Sequence, residues 1–100
     1  MTEPVSLAEL KEHLRLDPGG TDEDGSLNGF LLASRRALEL HTGRIIVGPK
    51  PTLDPADLPL VVQAIKVTCT DWYENREGEQ ALPPAAINLM RGVVIIGGGA

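Results

Sequence analysis

The run from Leu58 to Glu77, LPLVVQAIKVTCTDWYENRE, constrains the chain more than any other stretch. It is the longest apolar-rich run, and it carries the chain's single Trp, single Tyr and single Cys. Leu58, Val62, Ile65, Cys69 and Trp72 recur at steps of four, three, four and three, the spacing of one helix face. Val61, Ala64 and Thr68 widen that face. The pattern predicts a helix over 57–77 that is apolar on most of its girth up to Trp72 and polar after Tyr73. A helix of that kind is buried among other helices. Phe30, Trp72 and Tyr73 are the only rings, so the rest of the core must be aliphatic.

Upstream, Ser6-Leu7-Ala8-Glu9 is a capping box, in which Ser6 and Glu9 satisfy each other's backbone N–H groups. A short helix over 6–15 follows, with Leu7, Leu10 and Leu14 on one face and Lys11, Glu12 and Arg15 on the other. Pro18-Gly19-Gly20 ends it. Thr21 is a suitable N-cap, and Asp22, Glu23 and Asp24 suit the positive end of a helix dipole. The spacing of Leu27, Leu31, Ser34, Leu38 and His41 predicts a helix over 22–42, with Arg35 and Arg36 on its outer face. Gly25 and Gly29 weaken its first turns, so that the start frays or shifts to Ser26. Gly43 is the stop.

Ile45-Ile46-Val47 reads as a short extended segment, a strand of three or four residues. Pro49, Pro51 and Pro55 forbid a helix behind it. Asp54 or Asp57 caps the central helix, with Pro59 in its first turn. After Gly78, Pro84 opens a last helix over 84–91. The chain closes in an apolar tail, VVIIGGGA. The fold class is all-α: a bundle of about four helices in a single domain over 1–92, with 93–100 an inter-subunit arm or a disordered terminus. The expected core anchors are Leu31, Leu38, Val62, Ile65, Cys69 and Trp72.

Composition excludes several classes. One hundred residues bury roughly two-thirds of their surface, enough for one modest core. The net charge is −5 and no basic face suits a nucleic-acid groove. The lone Cys69 precludes an internal disulfide and suits a reducing compartment. No secretory leader is evident, and no apolar run has the length of a membrane span. The expectation is a soluble protein made and retained inside the cell.

Catalytic chemistry finds little purchase. His13, His41 and Cys69 match no ligand spacing. His41 suits a helix C-terminus, and Cys69 sits on the apolar stripe, where a thiol is structural. Asp71, Glu74, Glu77 and Glu79 cluster around Arg76, but without a partner base they read as a solvated helix end and not as an acid–base site. Gly97-Gly98-Gly99 is followed by no helix or Lys that would make it a phosphate loop. No enzyme, metal or cofactor is expected.

Charge is unevenly distributed. Residues 1–25 hold seven acids and two bases, 26–50 one acid and four bases, and 51–80 six acids and two bases. Unlike faces of this kind suit head-to-tail association. The candidate subunit contacts are Arg35, Arg36 and Arg44, meeting acids of a neighbour, and the apolar segments Ile45, Ile46, Val47 and Val94, Ile95, Ile96. The last two segments otherwise pair with each other as a small patch within the chain.

The order SLAELKEHLRLD, an acidic stretch running into a long helix that ends HTGR, then DLPLVVQAIKVTCTDWYENRE and ALPPAAINLMR resembles the small head–tail connector proteins of long-tailed phages and prophages. The resemblance runs from about Ser6 to Arg91, and departs from the family at Gly25, Gly29 and the VVIIGGGA tail. It implies an α-helical virion protein without catalysis or cofactors. It implies a ring of about a dozen copies at the head–tail junction, docked between the portal and tail-side connector proteins, which completes DNA-filled heads. DNA would only pass through the channel, no membrane would be involved, and synthesis would be in the host bacterial cytoplasm. The rival reading is a small helical regulatory or DNA-binding protein; a weaker one is an enzyme with an acidic site at Asp71 and Glu74.

Overall fold

In a computed structural model that describes residues 3–17, 19–75 and 81–93, the chain is all-α. Helix α1 (Leu7–Leu14) begins at the capping box. Ser6 Oγ accepts from Glu9 N at 3.1 Å, and Glu9 Oε1 accepts from Ser6 N at 3.3 Å. It ends one residue short of the expected end at 15, because Arg15 takes the left-handed conformation at φ 60° and its N–H closes on the last turn. Leu10 is fully buried, with Leu7 and Leu14 half-buried beside it.

Helix α2 (Asp24–Thr42) starts two residues later than the spacing predicts and ends on Gly43 at φ 73°. The reason is Lys11. It does not lie on an outer face of α1: it is 6% exposed. Its ammonium donates to the Gly20 carbonyl at 2.7 Å and pairs with Asp24 Oδ1 at 2.6 Å. That pin sets the first turn of α2 at Asp24, and Asp22 and Glu23 stay in the preceding turn.

A single 3₁₀ turn (Pro55–Asp57), capped by the Asp54 carboxylate on Ala56 N at 3.0 Å, leads into helix α3 (Leu58–Glu74). The part of the expected 57–77 helix from residue 76 onward lies outside the described residues. Helix α4 (Pro84–Leu89) is shorter than 84–91; residues 90–93 continue as turns.

Helices α2 and α3 form the central pair. Ser34 Oγ and Cys69 Sγ meet at 3.5 Å, the Phe30 and Trp72 rings pack edge to face at 6.1 Å, and the Tyr73 hydroxyl donates to Glu23 at 2.8 Å. Rising numbers on one helix meet falling numbers on the other, so the two run antiparallel. α4 packs on α3, and α1 packs on both α2 and α3. Leu31, Leu38, Ile65, Cys69 and Trp72 are buried at the seam, and Val62 is half-buried against it.

Residues 45–47 are not a strand. No strand occurs among the described residues. β-branching alone cannot make one without a partner edge, and here the backbone N–H groups of Ile46 and Val47 are taken by a side chain, the Glu39 carboxylate.

Candidate subunit-contact site

The basic middle of the chain is organised by an acid. Glu39 is the single acidic residue among residues 26–50, and its side chain is 3% exposed. One carboxylate oxygen, Oε1, accepts from Arg35 at 2.9 Å and Arg36 at 3.3 Å; the other, Oε2, accepts from Ile46 N at 2.8 Å and Val47 N at 3.0 Å. Burial pushes this carboxyl up, but the two backbone donors and the two guanidinium groups outweigh it and hold Glu39 below the usual carboxylate range. The charge is therefore kept inside the fold, where it fixes the loop that follows α2.

Arg35 is shared between Glu39 and the N-terminal segment: its Nε and Nη2 donate to the two Glu3 oxygens at 3.2 and 3.1 Å. This fork-on-carboxylate geometry is the strong form of the pair. The bond to Glu3 raises the Arg35 pKa, desolvation opposes that, and Glu39 adds to the rise. Arg44 donates to the Val93 carbonyl at 2.8 Å and, more weakly, to the Thr52 carbonyl at 3.5 Å. The loop closes on itself through Thr52, whose hydroxyl accepts from Ile45 N at 2.7 Å while its own N–H donates to the Ile45 carbonyl at 2.8 Å.

These contacts sort the expected contact residues. Arg35, Arg36 and Arg44 all have partners within the chain. Arg36 has a 61% exposed side chain. Ile45 is 44% exposed, Ile46 is buried at 1%, and Val47 is half-buried against the core. Val94, Ile95 and Ile96 lie outside the described residues. The structure thus brings Arg35, Arg36, Ile46 and Val47 together around Glu39, and leaves Arg36 and Ile45 facing outward.

The sequence pattern gives Glu39 no role and places Lys11 on the outer face of α1. Glu39 carried a signal: an acid at i+4 from Arg35 and i+3 from Arg36 is placed to pair with both on one helix. Lys11 carried none, since its partner Asp24 is set by the turn between two helices.

Other chemistry is sparse. Cys69 is fully buried, and burial pushes its thiol up against a smaller opposing effect from Ser34; it is a poor nucleophile. His13 and His41 are exposed. Among the described residues no three His, Cys, Asp or Glu side chains are grouped as a metal site would need. An open cleft of about 280 Å³ between α1 and α2 is lined by Lys11, Asp17, Asp22, Glu23 and Asp24, but its cation and Asp24 already neutralise one another. No described helix is long and apolar enough to cross a membrane.

The family model of phage gp6-like head–tail connector proteins matches residues 4–85. The chain belongs to that family. In this connector the match spans α1, α2 and α3 and enters α4, so it includes the whole Glu39 network and the α2–α3 seam. No curated protein and no solved structure matches the chain.

Proposed function

We propose that this connector works without catalysis as a structural part of a phage or prophage virion. It assembles as a ring of about a dozen copies between portal and tail and helps to complete DNA-filled heads. The family match over residues 4–85 carries the reading. Its other partners are the portal protein and tail-side connector proteins. Synthesis in the host bacterial cytoplasm precedes incorporation at the head–tail junction. Residues 1–92 act as one domain, in whose core Val93 is also buried, and the tail beyond it is an arm available to a neighbour. Of the candidate contacts Arg35, Arg36, Arg44, Ile45, Ile46, Val47, Val94, Ile95 and Ile96, Arg36 and Ile45 fit that role best, being exposed, whereas Ile46 is buried in the subunit.

DNA passes through the channel without being held. The net charge of −5 supports this, because acids facing the duplex repel it and leave it free to slide. The test is the mass of the purified protein in solution over a range of concentrations, followed by electron microscopy of any large species. Rings are expected. A strict monomer at every concentration would defeat self-assembly, and a salt-sensitive shift of duplex DNA would favour a DNA-binding role in its place.

A further inference from the structure

The outward side of α2 is unusual for a helix facing water. Gly25, Gly29, Leu32, Arg36 and Leu40 fall within an arc of about 80° on the helix, opposite the buried row of Leu27, Leu31, Ser34 and Leu38. All five are exposed, Leu32 at 51% and Leu40 at 68%. The two glycines are not there for backbone reasons. Neither has a positive φ, and a Cβ added to either meets nothing within 4 Å. Glycine inside a helix weakens it, so the isolated subunit bears a cost that brings it no contact.

Helix α3 carries an outward row of its own at steps of three and four: Leu60, Gln63, Val67, Asp71 and Glu74. Leu60, Gln63 and Glu74 are exposed, and Val67 is half-buried without packing on the core. Glu74 has no ion pair among the described residues. Because α2 and α3 meet through Ser34–Cys69 and Phe30–Trp72, their outward rows lie on opposite sides of the subunit. One row is apolar with a single cation, Arg36, which reaches Glu39 of its own chain at 3.3 Å while its side chain stays 61% exposed; the other is half apolar and ends in two acids.

We infer that the outward row of α2 docks on the outward row of α3 of a second copy, with Arg36 facing Asp71 and Glu74 and the Gly25–Gly29 surface giving the neighbouring helix room for close approach. This rests on the connector reading and specifies how its subunits meet. The contact joins unlike faces, so it propagates from copy to copy, as a ring requires. A rotation about an axis parallel to the helices keeps heights unchanged. Arg36 then lies level with about Val67, and Leu40 level with about Gln63. Helical side chains lean toward their own N-terminus. In antiparallel neighbours this carries the Arg36 guanidinium toward Asp71, and the Asp71 and Glu74 carboxylates toward it.

The test uses the full chain and disulfide trapping, with the buried Cys69 as a silent background. Leu40→Cys and Gln63→Cys variants, mixed and oxidised, should give a covalent dimer containing one of each. The double variant should give a ladder of species beyond the dimer. Arg36→Glu should abolish the higher-mass species seen for the parent chain, and adding Glu74→Arg should restore them. Leu40→Asp, at a side chain outside the subunit core, should abolish them independently. If the parent chain assembles but neither the mixed dimer nor the ladder forms, or if Arg36→Glu and Leu40→Asp assemble normally, this surface faces some other partner and the inference fails while the ring reading stands. Efficient cross-linking of either single variant to itself would replace it with a two-fold contact. A parent chain that is monomeric throughout removes the ring reading, and this contact with it.

Discussion

The seam between α2 and α3 and the loop of residues 43–54 that runs between those helices in the chain are held by opposite means. The seam is apolar and redundant: Leu31, Leu38, Ile65, Cys69 and Trp72 are all buried there, and loss of one leaves a cavity that its neighbours fill in part. The loop has no comparable cluster. It hangs on Ile46 and Leu53, which reach the core, and on one carboxylate, Glu39, which satisfies two backbone donors and two guanidinium groups. Non-directional packing tolerates substitution in degree. A buried charge with directed partners does not, because its removal strands every group it served.

The largest effect should come from the seam. Trp72 is 3% exposed, donates from its indole nitrogen to the Ala81 carbonyl at 3.0 Å, and meets Phe30 edge to face. Trp72→Ala should cost about 3–5 kcal/mol, against a total of about 5–15 kcal/mol for a domain of this kind. Urea unfolding followed by circular dichroism measures it, since the variant loses the chain's only tryptophan fluorophore. A loss under about 1 kcal/mol would mean that the indole is not part of the core.

Glu39→Ala should come next, at about 2–4 kcal/mol, as the unpaired Ile46 and Val47 N–H groups and the Arg35 charge stay partly buried. Glu39→Gln keeps an acceptor for the backbone donors and should cost less. The same network predicts a pH dependence. The folded-state pKa of Glu39 is depressed, so its contribution is complete above the ordinary carboxylate value of about 4.3 and is lost as pH falls below that through the lower folded value. Parent and Glu39→Gln stabilities should therefore converge on acidification. Parallel curves down to the acid limit would show that Glu39 is not the group responsible.

This contrast also explains what could be read from the residues alone. The seam was legible because period and burial are the same information: steps of three and four in Leu27 to Leu38 and in Val61 to Trp72 name the faces that meet. The family was legible for a related reason, in the order of several short motifs. The loop was not. Ile45-Ile46-Val47 has strand-like side chains, yet the fate of its N–H groups is decided by a carboxylate on the preceding helix, a side-chain choice that β-propensity does not register. Lys11 was misassigned to an outer face because a helical period cannot show that the next helix begins beside it. Whether Arg35, Arg36 and Arg44 were free for a neighbour depended on those same long-range partners. Arg36 also reaches Glu39, and differs from the other two in keeping a side chain that is 61% exposed.

The smallest effect sharpens the contrast between packing within the subunit and packing reserved for something outside it. Gly43 and Gly29 both belong to α2, at its end and on its outward face. Gly43 sits at φ 73° as the C-cap, where a Cβ is strained, so Gly43→Ala should destabilise by about 1 kcal/mol. Gly29 has helical geometry and open space around it. Gly29→Ala should therefore stabilise the subunit by about 1 kcal/mol, a rise of roughly 4–8 °C in Tm for a domain near this size, read by thermal unfolding at a concentration where the protein is dispersed. The opposite signs follow from backbone geometry alone. If Gly29→Ala also lowers Tm under those conditions, the glycine is used inside the subunit, and its place on the outward face of α2 no longer argues for a neighbour there.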